Sequence, residues 1–198
     1  MSSAKAVVNA PRPLRADAQR NRDAILSAAR ETFETEGVLA SLDGIALRAG
    51  VGNATLYRNF PTRDDLLAAI ISTGIDAAIA DADELARAHS PREALSLWLQ
   101  ELTWGLRIWN DLPDCVASAT SNDPESAISS VCLPLVDRTA DFLSAAKATG
   151  DVPDTVTATE VFELVTALSW AVDRFHDDEQ AARRRVAVAT AGFFTAAR

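Results

Sequence analysis

The clearest chemistry in the chain sits on one face of a short helical stretch. Asn53, Ala54, Tyr57 and Arg58 fall on its outer side, while Val51, Leu56 and Phe60 point inward at helical spacing. An amide, a phenol and a guanidinium offered together make hydrogen bonds rather than covalent ones. A guanidinium can pair bidentately with guanine, so Arg58 is suited to reading a base edge. A second set is aromatic. Trp98, Trp104 and Trp109 share a later helical pattern with Gly105, which leaves room over one turn between large rings. That arrangement suits a pocket for an apolar or aromatic small molecule, or ordinary core packing. Catalytic sets are missing. His89 and His176 stand singly near helix ends, Cys115 and Cys132 have no ligand-like spacing, and no CxxC, HExxH, GxSxG or GxxxxGK occurs. The run from Gly50 to Thr55 imitates a dinucleotide fingerprint but lacks the third glycine and follows a helix. The expectation is a protein that is not an enzyme and needs no metal or cofactor.

The elements that must position the outer face lie in residues 41–60. Ser41 is a good N-cap, Leu42, Ile45, Ala46 and Ala49 recur at helical spacing, and Gly50 is a natural residue after the helix end. Gly52 or Asn53 caps a second helix, and Pro61 stops it at Phe60. A helix over residues 17–36 precedes them, with Ile25, Ala28, Ala29, Thr32 and Phe33 inward and Arg22, Asp23, Arg30, Glu31 and Glu34 outward. This is a three-helix helix-turn-helix module, whose last helix enters a major groove.

The run Ile45-Ala46-x-x-Ala49-Gly50-Val51-x-x-x-Thr55-Leu56-Tyr57-x-x-Phe60-Pro61-x-Arg63-x-x-Leu66-Leu67 resembles the DNA-binding domain of TetR-family transcriptional regulators. Ile25-Leu26-x-Ala28-Ala29-x-x-x-Phe33-x-x-x-Gly37 is similar to that family's first helix. The resemblance covers residues 20–70 and implies a DNA-binding head on a larger helical domain that binds ligand and dimerises. It places Tyr57 and Arg63 at phosphates, Arg63 standing where the family usually has lysine. Thr55 would serve a phosphate or a thymine methyl, Asn53, Ala54 and Arg58 base edges, and Asn59 the DNA backbone. Gly52 departs from the small polar residue, often serine, expected at its place. The implied function is a ligand-responsive regulator, a repressor, that binds a pseudo-palindromic operator as a homodimer and is released by an apolar or aromatic effector. The alternative is a helix-turn-helix regulator controlled by a protein partner.

Composition fits this organisation. The 198 residues are 48% hydrophobic and 24% charged, with no alternating β-branched runs, so the expected fold is all-α with about nine helices. Up to Arg63 there are nine basic and six acidic residues, a net +3; from Asp64 onward there are ten and twenty-two, a net −12. A basic N-terminal module on an acidic body presents one end to phosphate, although acidic surfaces also simply maintain solubility. Two cysteines without ligand-like spacing suggest a reducing compartment rather than a disulfide scaffold. No apolar run reaches the ~18 residues of a membrane span, and the first ten residues lack a signal core, so a cytoplasmic location is expected.

The predicted boundaries are an N-terminal arm over 1–16, the head over 17–62, and the ligand-binding and dimerisation domain over 63–198. Arg12, Arg15, Arg20 and Arg22 either reach DNA from the arm or are incidental charge. Thr62 and Asp65 open a long helix with the stripe Leu66, Ile70, Ile71, Ile75, Ala78, Ile79, Ala82 and Leu85. Ser90-Pro91 opens the tryptophan helix, which extends to about Asn110. A short weak helix follows over 114–121. Asp123-Pro124 opens a helix running to about Thr149 with Pro134 inside, and Thr157-x-x-Glu160 opens the next. Asp177 or Asp178 caps the last, whose Arg183, Arg184 and Arg185 read as a solvated face. The candidate pocket comprises Trp98, Leu102, Trp104, Gly105, Trp109, Cys115, Phe142 and Trp170. The candidate dimer interface is the seam Val161, Val165, Leu168, Val172 and Phe175, with Val186, Ala189 and Phe193.

Overall fold

Local signals fix most helix ends. In a computed structural model that describes residues 12–106, 112, 115–117 and 125–194, with side chains from Ala16 onward, helix α1 spans Arg12–Glu36. It starts within the predicted arm, because Pro13 in the first turn forfeits no intrahelical bond. The arm's Arg12 and Arg15 side chains lie outside the described residues. Helix α2 covers Leu42–Arg48, and the Ser41 hydroxyl accepts from the Gly44 amide. Gly50 turns the chain at φ +68°, the Gly50 amide donates to the Leu47 carbonyl, and the Val51 amide donates to that of Ala46. A residue with a Cβ would be strained there. Helix α3 covers Asn53–Asn59, capped by Gly52 without a side-chain bond.

The buried stripe of α1 (Ile25, Ala29 and Phe33) packs with Ile45, Ala46, Leu56 and Phe60 to make the head core. Two arginines read as outward-facing or unassigned in the sequence also brace it. Arg22 lies over the Phe60 ring at 4.5 Å from its centroid. Arg48 donates to Thr32 Oγ1 at 3.1 Å and pairs with Glu36, tying α2 to α1. Neither serves as a free cation.

Helix α4, Arg63–Ala88, opens on the reciprocal Thr62–Asp65 capping box and leaves the head only three residues after α3. Helix α5, Pro91–Gly105, opens on a second box between Ser90 and Glu93. The helix ends at Gly105 with Leu106 as its cap, short of the expected Asn110; residues 107–111 lie outside the described residues, as does most of the predicted 114–121 helix, of which 115–117 are helical. Helix α6 spans Ala127–Ala148. It begins three residues later than Asp123-Pro124 predicts, because Ser126 is the cap and its hydroxyl accepts from the Ser129 amide at 3.1 Å. Helix α7, Ala158–Arg174, opens on the Thr157–Glu160 box, and α8, Glu179–Thr190, on Asp178. All eight helices pack without a strand among the described residues, so the fold is all-α with a three-helix head and a helical body.

In the body, α6 lies against α4, α5 and α7, while α8 packs on α5 and α7. The Ser169 hydroxyl donates to the Thr103 carbonyl at 3.0 Å, docking α7 on α5. This corrects the predicted dimer seam. Val161, Val165, Val172 and Val186 are at most 3% exposed and belong to the core of the single chain, so they cannot face a partner. Leu168 is half-buried against that core, Ala189 is exposed, and Phe193 stacks on Phe194 with centroids 4.7 Å apart. Phe175 is exposed, with the Arg185 guanidinium 5.0 Å from its ring centroid. No helix among the described residues is long and apolar enough to cross a membrane.

Candidate DNA-binding face and effector cavity

Helix α3 turns Leu56 into the head core and leaves Asn53, Ala54, Tyr57 and Arg58 exposed. Tyr57 is 44% exposed, a large ring left partly in solvent. Arg58 has no hydrogen bond or ion pair to any described residue, so its whole donor set faces outward. Three other candidates are partly committed within the chain. Asn53 Nδ2 donates to Asp43 Oδ1 at 2.8 Å, bridging α3 to α2. Asn59 Nδ2 donates to the Thr55 carbonyl one turn back at 2.8 Å. Arg63 Nη1 donates to the Val38 carbonyl and pins the start of α4 to the α1–α2 turn. A guanidinium keeps other donors after one such bond. Thr55 is half-buried and Gly52 exposed, with open space where its Cβ would stand.

The aromatic set on α5 opens onto a cavity of about 810 Å³. Trp98, Leu102, Trp104 and Gly105 of α5 all line it, facing Ile70, Gly74, Ala78 and Ala82 of α4. Leu112, Val116 and, on α6, Cys132 and Leu135 close the apolar floor. Trp98 is fixed there. Its Nε1 donates to Thr139 Oγ1 at 2.9 Å and its ring lies 5.5 Å from that of Phe142. Burial pushes the Cys132 thiol up to about 11, so it lines the wall as an unreactive neutral group. Four expected members stand elsewhere or beyond description. Phe142 packs behind Trp98 and under the Arg138 guanidinium, not on the cavity. Cys115 precedes the lining residue Val116 and does not line the cavity itself. Trp170 is 46% exposed on the outer side of α7, because Val165, Ser169 and Val172 take the inner side. Trp109 lies outside the described residues. The sequence places the effector among predicted helices 4 to 8, but the expected pocket residues include none of the α4 residues that form this wall. Its signal was Gly74 inside an otherwise apolar helical stripe, a residue that costs helix stability and leaves space.

The described residues contain no group of three His, Cys, Asp or Glu side chains able to hold a metal ion. The lower pKa values of Glu93 and Glu160 come first from the hydroxyls of Ser90 and Thr157, so these carboxylates are helix caps.

A short helix held by a glycine turn on a three-helix core, with its polar face left outside, defines a helix-turn-helix DNA-binding protein. Residues 25–70 match the family model of bacterial regulatory proteins of the tetR family. Residues 90–194 match that of the C-terminal domain of SbtR-like transcriptional regulators. The chain belongs to the TetR family of transcriptional regulators. Its 92% overlap with a TetR regulator from Mycobacterium vanbaalenii covers 100% of that chain at 30% identity and a TM-score of 0.50. Thermus thermophilus FadR, a TetR-family repressor solved in complex with lauroyl-CoA, shares the fold at a TM-score of 0.64 and 18% identity, over 89% of this chain and 97% of its own. Among curated relatives, the Bacillus subtilis HTH-type regulator YfiR is 31% identical over 94 residues, 47% of this chain. The chain aligns with 44% of YfiR and 35% of a Staphylococcus aureus HTH-type regulator, less than half the length of each.

Proposed function

We propose that the protein is a homodimeric repressor that binds a pseudo-palindromic operator and is released by an apolar or aromatic-bearing small molecule. The observation that carries this reading is the cavity's position. It is walled by α4, and α4 begins three residues after the helix bearing Tyr57 and Arg58. An occupant that shifts α4 therefore shifts the DNA-contacting helix with it. Such a ligand acts only through its different affinity for the operator-bound and free arrangements. The volume lies within the usual range of small-molecule sites, and FadR, of the same fold, holds lauroyl-CoA.

On DNA, Tyr57 and the remaining donors of Arg63 anchor to phosphates, and Arg58 and Ala54 lie against base edges. Asn53 and Asn59 reach DNA by exchanging their internal bonds. Thr55 and the Gly52 amide border the backbone. Two heads related by a two-fold axis set the half-site spacing.

Footprinting the purified protein on selected fragments of its own genome, at two salt concentrations, tests this. The expected result is protection of paired half-sites, weakening steeply with salt. Absence of any protected site would remove the operator-binding reading. Titration of apolar probes while recording tryptophan fluorescence tests the effector: Trp98 and Trp104 should respond, whereas control by a protein partner leaves them unchanged.

A further inference from the structure

The cavity is walled almost wholly by the body, yet one described lining residue belongs to the head. Arg30 lies on α1, between the buried residues Ala29 and Phe33 that hold the head core together. It is exposed and makes no hydrogen bond or ion pair with any described residue. On the same helix and its neighbour α2 the other arginines with described side chains are engaged, Arg20 with Asp17, Arg22 over Phe60 and Arg48 with Thr32 and Glu36, while Arg58 stands on the DNA-facing helix. A guanidinium whose N–H donors stand open on a largely apolar wall is suited to an anion entering beside it.

The other charged lining residues are carboxylates, and their placement gives the cavity a direction. α1 packs against α4, which leaves the head at Arg63, and Arg30 borders the cavity from α1. Asp81 and Glu84 lie beyond Gly74 on α4, about 10 and 15 Å farther from the head by the rise per residue. Glu101, on α5, is paired with Arg183 at 3.6 Å. An anionic group is therefore attracted at the Arg30 end and repelled at the other, with apolar surface between.

Resting on the effector reading above, we propose that Arg30 is the head's own ligand contact and that the cavity takes an amphiphile with an apolar body and an anionic end. The anion accepts hydrogen bonds from Arg30, and the body lies over Ile70, Ala78, Leu102 and Leu135. Such an occupant touches both sides of the head–body junction. Its grip on Arg30 acts on α1, and through Ala29 and Phe33 on the core that carries α3.

The test compares decanoate, decanol and decyltrimethylammonium as probes, titrated against the full chain by tryptophan fluorescence and calorimetry. The proteins are wild type, Arg30→Met and Arg30→Lys. Arg30 is outside the core, so both variants should keep the wild-type melting temperature and footprint. Wild type should bind decanoate about tenfold more tightly than decanol, the usual scale of a hydrogen bond to a charged group. Arg30→Met should bind the two equally, and Arg30→Lys should keep part of the preference. Equal binding of decanoate and decanol by wild type would overturn the proposal while leaving a small-molecule effector in place. So would a decanoate preference that survives in Arg30→Met. Preference for the trimethylammonium probe would reverse the assigned polarity and overturn it too. Binding of none of the three would sink the proposal together with the apolar-effector reading.

Discussion

At the scale of single residues, Gly52 is the informative position on the head. It caps α3 at φ −75° and ψ 150°, a conformation open to any residue, with nothing within 4 Å of where a Cβ would stand. Neither strain nor crowding calls for glycine there, and α3 has no side-chain cap. Gly52→Ser should therefore raise stability by a few tenths of a kcal/mol, read by denaturant unfolding. It should also strengthen operator binding, since a hydroxyl beside the first turn adds a phosphate donor. Weaker operator binding would instead mean that the DNA backbone approaches too closely for a side chain. Arg63 poses the opposite problem, because one guanidinium serves two roles. Arg63→Ala should cost about 1 kcal/mol of stability by freeing the Val38 carbonyl, in addition to lost DNA affinity. Arg63→Lys should recover the DNA term more fully than the stability term, because an ammonium lacks the fork that reaches both. Residue types on this face were legible in the sequence. Their internal partners were not: the Asn53–Asp43 and Arg63–Val38 bonds span 10 and 25 residues, and no local pattern encodes them.

At the scale of elements, capping was legible because it is local. Ser41, Thr62 with Asp65, and Thr157 with Glu160 all cap as their spacing indicates. Facing was less legible, since a stripe says that a helix side is buried and not against what. The valines of α7 read as a seam for a second chain and prove to be the seam with α5 and α6. The tryptophan helix suggested a pocket because several rings and a glycine share one element, and Trp98 and Trp104 line the cavity. Helix α4 carries the sharpest prediction at this scale. Gly74 sits inside it with open space toward the cavity. Gly74→Ala should stabilise the protein by roughly 1 kcal/mol, a rise of a few degrees in melting temperature. Larger residues at 74 should progressively weaken effector binding while sparing the operator footprint. A Gly74→Ala protein that melts lower would show that α4 needs to bend at this point. The capping boxes add a pH dependence. Glu93 and Glu160 have folded pKa values below their ordinary 4.5, so their contribution is present above that value. It fades as pH falls through the lower folded values. Thermal melts across that acid range should show a shallower loss of stability in Glu160→Gln, whose capping no longer titrates.

At the scale of the whole molecule, the proposed dimer needs a surface that joins two copies once the valine seam is spent inside one. The remaining apolar surface of α7 and α8 lies on their outer side. Trp170 is 46% exposed, Phe175 65% and Val188 79%, and Ala167 and Ala171 flank Trp170 with small side chains that permit close helix approach. Exposed aromatic and aliphatic groups at this density on two neighbouring helices are costly in water and suited to a self-complementary contact. The charge distribution agrees with such an arrangement. Residues 1–63 carry the +3 and the rest of the chain the −12, so a dimer joined through its C-terminal helices directs both basic N-terminal ends to one duplex and holds the acidic mass away. Trp170→Glu should therefore convert the protein to a monomer by sedimentation equilibrium without lowering its helix content, because Trp170 contributes nothing to the core. Operator binding should fall much more than the loss of any one phosphate contact explains, since a single head then carries only one half-site's contacts. Its salt dependence should flatten as the phosphates engaged per binding event are halved. A Trp170→Glu protein that still sediments as a dimer would place the interface on another face and leave the two-headed geometry to be rebuilt from there.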